Sequence, residues 1–227
     1  GYFIADRLGE LAEPDDGPTA THLSALAREA RLHLVCGMAL AEEGRFYDAQ
    51  LLFGPDGSRL ATYRKAHLFA AERRWYAAGD TPVVVDTALG RLGLTVCYDL
   101  IFPEYIRALT ARGAELVINS TNWIADDWQR ATWDWNGPMV EALARTRALE
   151  NGIFLAMANC IGQELHFTSL GHSAIVAPSG QLLASAGTVV DRVIVADIVR
   201  HSADLTRWRE IATYRPDRRP ELYGGEA

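Results

Sequence analysis

The chain has 227 residues, 49% of them hydrophobic, which is enough for one large core, so we expect a single domain over residues 1–227. The net charge is −7, and the 22 Lys and Arg residues are spread along the sequence apart from a short Arg-rich tail. Nucleic-acid binding requires a basic patch, and a membrane helix requires about 20 consecutive apolar residues. The sequence therefore predicts no nucleic-acid partner and no membrane span.

The three cysteines, Cys36, Cys97 and Cys160, show no CxxC spacing. Three is an odd number, and a chain of this length does not need disulfides for stability. These features favour a reducing compartment, and we expect a cytoplasmic location.

The first half of the chain combines one helical pattern with several strand patterns. A helix is predicted over 21–30 and a strand over 32–38. Residues 45–52 and 60–64 predict a hairpin, because the GPDG sequence between them is typical of a turn. Residues 65–79 have no clean period and predict a loop with one short helical turn.

The second half alternates strands and helices more regularly. A helix is predicted over 140–151, with an apolar face at helical spacing. Strands are predicted over 83–86, 115–119, 153–158, 173–177, 181–185 and 192–197. The alternation indicates an α/β fold, and the hairpins indicate mixed rather than purely parallel sheets.

Residues 90–114 form the most informative stretch, since they predict a buried strand, a cysteine at a bend and then a helix. Apolar residues alternate with Gly93 and Thr95 up to Cys97, and Pro103 suits a first helical turn. A thiol facing the start of a helix meets partial positive charge, which favours the nucleophilic thiolate. Taken alone, Cys97 is equally compatible with a small buried core residue.

A cysteine nucleophile also needs a base to accept its proton. In a papain-type site the base is a histidine, and His67, His166 and His172 are the candidates. Each lies in a predicted loop, and the spacing indicates no partner carboxylate for any of them. The six histidines show no HxH or HxxxH spacing and no accompanying cysteine pair, so no metal site is predicted.

Lys65 lies at the end of a predicted strand, where a point charge could meet developing negative charge. Glu72, seven residues later, could hold that lysine or a substrate amine. Taken alone, Lys65 is also compatible with a solvated surface lysine, and Glu72 is one of 29 acidic residues.

Five motifs, taken together and in order, carry a resemblance to a known family. They are YRKAHLF with Glu72, TVCYDLIFPE, RALEN at 147–151, GHSAIVAPSG and RRPELY. In this order and spacing they resemble the nitrilase superfamily, the carbon–nitrogen hydrolases, over nearly the whole chain. The resemblance implies a four-layer αββα sandwich and a Glu, Lys, Cys triad, with neither a metal nor an organic cofactor.

The resemblance also assigns roles to individual residues. Cys97 is then the nucleophile that forms a thioester acyl-enzyme. Lys65 stabilises the tetrahedral oxyanion together with the backbone N–H of Tyr98, and Glu72 positions the substrate and the lysine. Ammonia or an amine leaves first, and water then releases the acid.

Two departures from the family pattern stand out. The family's general-base glutamate lies at the end of the first strand, a few residues before the Gly-Tyr pair that here is Gly1 and Tyr2. Glu10 and Glu13 come too late to match it, so we expect the first strand and the general base to lie upstream of this sequence. The second departure is Asp48, which stands where relatives often have asparagine.

The residues after the cysteine favour one branch of the superfamily. Nitrilases tend to have Trp-Glu at this point, whereas Cys97, Tyr98 and Asp99 resemble the amidase and carbamoylase branches. The expected function is therefore an amidase that cleaves a small-molecule amide to an acid and ammonia. A nitrilase, an N-carbamoyl amide hydrolase and a non-catalytic scaffold that lacks the base are the alternatives.

Aromatic residues could form the walls of a small apolar pocket. Phe69, Trp75, Tyr98 and Trp123 are the candidates, and Tyr98 and Trp123 are the better substrate-binding residues. The tryptophan-rich segment 124–137 favours packing or a subunit contact over a binding role. Relatives assemble through outer helices and C-terminal tails, so the resemblance implies a homodimer or a higher homo-oligomer.

Overall fold

The computed structural model describes residues 4–223, so Gly1 and Tyr2, which locate the expected upstream strand, lie outside the described residues. The α-helices in this part of the chain are α1 (Leu8–Leu11), α2 (Pro18–Ala30), α3 (Pro103–Ala111), α4 (Asp127–Trp133), α5 (Gly137–Asn151) and α6 (Ala203–Ile211). The strands are β1 (Leu34–Glu42), β2 (Arg45–Phe53), β3 (Arg59–Arg64), β4 (Val84–Thr87), β5 (Gly90–Val96), β6 (Leu116–Thr121), β7 (Ile124–Ala125), β8 (Phe154–Asn159), β9 (Ile161–Glu164), β10 (Phe167–Leu170), β11 (Ala174–Val176) and β12 (Leu182–Ser185).

These strands form two main sheets and one small sheet. The larger sheet has the order β12-β11-β8-β6-β5-β4, with β5, β6 and β8 parallel and the outer pairs antiparallel. Strands β1, β2 and β3 form an antiparallel sheet, and β7, β10 and β9 form the small one. The mixed α/β organisation expected from the sequence is confirmed.

The two main sheets pack face to face, and helices cover their outer surfaces. A hydrogen bond from Gln50 Nε2 on β2 to Ser120 Oγ on β6, 2.7 Å long, joins the sheets. Helix α2 buries Ala20 and Ala27 against β2, while α3 and α5 pack against the larger sheet and each other. The result is the predicted four-layer αββα sandwich.

Local sequence explains the elements that lead to the site. Leu92, Leu94 and Val96 are buried, and the residues between them are also buried, as in a strand covered on both faces. Helix α5 begins where the side chain of Asn136 accepts the N–H of Met139. These elements fix the end of β5 between the two sheets.

One sequence prediction needs correction. The predicted strand over 192–197 is wrong, because in the described chain no neighbouring strand supplies hydrogen bonds to it, and Val193 and Val195 are 86% and 81% exposed. The helix predicted with Pro103 in its first turn does begin at Pro103, after a 3₁₀ turn over Cys97–Ile101. The predicted loop over 65–79 is confirmed, with a 3₁₀ turn at Ala70–Arg74.

Candidate active site

Cys97 lies at the point where β5 ends and the 3₁₀ turn begins. Its φ is +45°, in the left-handed region that residues other than glycine rarely occupy. Strained backbone of this kind is concentrated at functional sites, and a sharp turn after a strand is a known way of presenting a nucleophile. This conformation distinguishes Cys97 from the extended residues of β5 that precede it.

The buried carboxylate of Asp99 holds this turn in place. Its Oδ2 accepts hydrogen bonds from the Val96 N–H at 2.9 Å and the Tyr63 hydroxyl at 2.7 Å. Its Oδ1 accepts the backbone N–H of His67 at 3.0 Å. Asp99 thus joins the turn that carries Cys97 to the segment that follows Lys65.

Arg147 of the RALEN motif holds the other end of the turn. From α5, its Nε donates to the carbonyl of Leu100 at 2.8 Å and its Nη2 donates to the carbonyl of Ile101 at 2.7 Å. The arginine side chain is 10% exposed, so these bonds lie in a largely water-free environment. Hydrogen bonds from a charged donor are strong there.

Lys65 is buried at the end of β3, and the alternative of a solvated surface lysine is wrong. Its Nζ donates to both carboxylate oxygens of Glu72 at 2.8 Å, and to Asp48 Oδ2 at 3.0 Å. We call Asp48, Lys65 and Glu72 the carboxylate–lysine cluster. A buried ammonium is tolerated when carboxylates pair with it, and here two carboxylates share one cation.

Burial and neighbouring charges both shift the pKa values of the groups in this site. Burial raises the pKa of the Cys97 thiol; the Lys65 ammonium opposes this rise, and Glu72 and Asp48 add to it. Burial likewise raises the pKa values of Asp48 and Glu72 against the influence of the lysine. The thiol pKa is therefore raised, whereas the sequence pattern predicts a preference for the thiolate.

Burial also works against the ammonium form of Lys65. The charges of Asp48, Cys97 and Glu72 outweigh that effect and raise the lysine pKa. The lysine is therefore a cation at neutral pH. A fixed cation whose charge acts on the thiol is what an oxyanion formed at Cys97 requires.

In front of Cys97 lies a cleft of about 190 Å³. Its lining consists of Phe69, Cys97, Tyr98, Ile101, Asn122, Trp123, Ile124, Gln129, Trp133 and Trp135. Three of the four predicted wall residues are confirmed as lining, but Trp75 is 49% exposed and does not line the cleft. The sequence predicts packing or a subunit contact for Trp133 and Trp135, but both line the cleft. The three tryptophans close together in this segment were the sequence feature that could have indicated it.

Two of the candidate histidines have carboxylate partners that the spacing did not indicate. His67 Nδ1 lies 2.8 Å from Asp99 Oδ1, and its ring stacks on Phe102 with centroids 3.9 Å apart. His172 Nδ1 lies 3.2 Å from Glu141 Oε2. Neither histidine lines the cleft, and the charged groups that act on the thiol are those of the carboxylate–lysine cluster, which disfavours a papain-type site.

Comparison with known proteins places this geometry in a family. The sequence profile of the carbon-nitrogen hydrolases matches residues 1–208. The chain belongs to the carbon–nitrogen hydrolase family. Its similarity to amidases places it in the amidase-like branch of the nitrilase superfamily, and it is a hydrolase of carbon–nitrogen bonds at that level.

Individual relatives support this placement. An (R)-stereoselective amidase of Pseudomonas sp. is 35% identical over 206 residues, which is 90% of this chain and 69% of that protein. An omega-amidase of Homo sapiens is 32% identical over 231 residues, which is 96% of this chain and 79% of that protein. The structure of a nitrilase-superfamily amidase from Nesterenkonia AN1 superposes with a TM-score of 0.81 at 30% identity, covering 100% of this chain and 80% of that one.

Within residues 4–223, every helix is too short or too polar to cross a bilayer. The same region contains no group of three or more His, Cys, Asp or Glu side chains arranged to hold a metal ion.

Proposed function

We propose that this protein is an amidase that hydrolyses a small linear amide through a thioester on Cys97. The observation that supports it most is the strained, left-handed Cys97 at the base of a cleft, next to a buried lysine that carboxylates hold in place. Family membership and the amidases among the relatives agree with this chemistry.

In this proposal the Cys97 thiolate attacks the amide carbonyl and a carbon–sulfur bond forms. The Lys65 ammonium, with the Tyr98 backbone N–H, stabilises the oxyanion, and Glu72 keeps the lysine in position. The carbon–nitrogen bond then breaks, the proton that the thiol released passes to the nitrogen, and ammonia leaves. Water attacks the thioester, the thiol is restored, and the acid departs.

The proton of the thiol needs an acceptor, because burial raises the pKa of Cys97. We assign this role to the family's glutamate, which the resemblance puts upstream of Gly1. Tyr98 and Trp123, both in the cleft lining, are the proposed substrate contacts. The experiments below therefore use the full-length protein.

The test is ammonia release from a panel of small amides, compared between the unaltered protein and Cys97→Ala. We expect the variant to lose at least about 10⁴-fold in kcat, as other enzymes do without their nucleophile. Cys160→Ala, at an exposed cysteine outside the cleft lining, serves as the matched control and should retain activity. Undiminished hydrolysis by Cys97→Ala would overturn the mechanism.

A covalent intermediate gives a second, independent readout. With a slowly hydrolysed amide, intact-protein mass should show one acyl group on the unaltered chain and none on Cys97→Ala. An acyl group that persists in the variant would locate the nucleophile elsewhere.

We also infer a single domain over residues 1–227, a cytoplasmic location and a homo-oligomeric state. The three cysteines are free, which suits a reducing compartment. Ile211 and Leu222 are 76% and 64% exposed, which suits a subunit contact through the C-terminal part of the chain. Light scattering on the purified protein tests the oligomer, and a monomer at all concentrations would contradict it.

A further inference from the structure

The surroundings of Cys97 divide into two unlike parts. The buried part is the carboxylate–lysine cluster, whose charges act on the thiol. The open part is the cleft, most of which is formed by an apolar wall. We define the apolar wall as Phe69, Tyr98, Ile101, Ile124, Trp133 and Trp135.

None of the residues that line the cleft in the described chain carries a charge, and the amides Asn122 and Gln129 are its polar side chains besides those of Cys97, Tyr98 and the tryptophans. Lys65 does not line the cleft, and both carboxylates of its cluster already hold it. Arg130 follows Gln129 in sequence, but its guanidinium pairs with Asp127 and stays outside the lining.

A carboxylate on a substrate would therefore lose hydration in this cleft without meeting a free cation. Moving an ionised carboxylate out of water is costly unless a partner of opposite charge or several hydrogen bonds compensate. An apolar group incurs no such penalty and gains from leaving water.

We propose that the cleft selects amides with a neutral, apolar acyl group and rejects amides whose acyl chain ends in a carboxylate. This inference rests on the proposed amidase function and adds the substrate class to it. Trp133 is 60% exposed, so an acyl group packed on its ring covers apolar surface on both partners. The cleft volume, about 190 Å³, suits a short acyl chain.

A pair of amides with the same shape tests the proposal on the full-length protein. In 4-methylpentanamide an isopropyl group ends the chain, and in succinamate a carboxylate of similar size takes its place. We expect kcat/KM, measured by ammonia release, to be at least about 100-fold higher for 4-methylpentanamide, because only succinamate brings an uncompensated charge.

The outcomes separate this inference from the function on which it rests. Equal or better hydrolysis of succinamate would overturn the substrate class and leave the amidase function intact. No ammonia from either amide or from any neutral amide in the panel would overturn the amidase function, and the substrate class with it.

Two neighbouring tryptophans of α4 provide matched variants. Trp128 and Trp133 are similarly exposed and touch each other with ring centroids 4.7 Å apart, but only Trp133 lines the cleft. Trp133→Arg should lower the preference for 4-methylpentanamide over succinamate by at least about tenfold, since it supplies the missing cation. Trp128→Arg adds the same net charge outside the cleft and should leave the preference within about twofold. Equal effects of both variants would show that the wall does not set the preference.

Discussion

The carboxylate–lysine cluster, whose charges act on Cys97, and the apolar wall, which lines the same cleft as Cys97, differ in almost every physical respect. The cluster is built from charges that depend on one another, with Lys65 only 1% exposed and bound to two carboxylates. The wall is built from half-buried or exposed rings and aliphatic side chains that face the cleft. From this difference we infer that the rate of hydrolysis depends on the cluster and the choice of substrate depends on the wall. A substitution in the cluster should lower the rate of hydrolysis by the same factor for all amides. A substitution in the wall should change the ratio of the rates between amides.

The largest effect is expected from removing the cation of the cluster. Lys65→Met should lower kcat by about 10²- to 10³-fold for every amide, because the oxyanion loses its fixed positive charge. The ratio between 4-methylpentanamide and succinamate should stay unchanged. A loss confined to one of the two amides would break the separation between cluster and wall.

The same variant leaves two carboxylates near each other without a cation, which should cost about 3–5 kcal/mol of stability at neutral pH. The pKa values of Asp48 and Glu72 are raised by burial, so the folded state binds protons more readily than the unfolded chain. Stability of Lys65→Met should therefore recover as the pH falls. Urea unfolding at several pH values measures this, and a stability that falls further in acid would contradict it.

Arg147→Met tests the support under the nucleophile. Its two bonds to the carbonyls of Leu100 and Ile101 would be lost, and we expect a destabilisation of about 2–3 kcal/mol in urea unfolding. Activity should fall for both amides in the same proportion. Arg145→Met on the same helix removes a single bond to the Gly180 carbonyl at a more exposed position and should cost less. If the two variants lose the same free energy of unfolding, the turn does not depend specifically on Arg147.

Asp48→Asn tests the least expected member of the cluster. The charge of Asp48 contributes to the raised pKa of Cys97, so its removal should shift the pH dependence of iodoacetamide alkylation to lower pH. Glu42→Gln also removes one carboxylate, but that carboxylate binds Arg64, and this control should show no shift. An upward shift in Asp48→Asn would contradict the electrostatic argument.

The smallest effect on stability is expected from Tyr63, whose hydroxyl donates a hydrogen bond to Asp99 in the turn after Cys97. Burial and the charge of Asp99 raise the pKa of Tyr63. The folded state therefore keeps the Tyr63 hydroxyl proton, which the unfolded chain releases at about pH 10. Stability should therefore fall as the pH rises through about 10, and part of this fall should disappear in Tyr63→Phe. Melting temperatures between about pH 8 and 11 measure the slope. The exposed-site variant Tyr214→Phe should keep the slope of the unaltered protein.

Much of the site followed from short stretches of sequence. Strand alternation up to Cys97, the proline after it and the ordered motifs led to the fold, and they drew attention to Lys65 and Glu72. The structure brings those two residues together, since both lie in one segment whose turn is short and locally encoded. Local pattern also gave one wrong prediction, the strand over 192–197. Val193 and Val195 alternate with other residues as in a strand, but no strand in the described part of the chain pairs with them.

By itself, the sequence determined the α/β class, the family and the candidate site residues, because periodicity, turn chemistry and motifs depend on neighbours along the chain. Only the tertiary structure decided that Asp48 joins Lys65, that Arg147 holds the turn after Cys97, and that Trp133 lines the cleft. These contacts connect separate elements, and their geometry depends on how two sheets and their helices pack. Packing also raises the pKa of the Cys97 thiol, because burial disfavours the thiolate more than the Lys65 charge favours it.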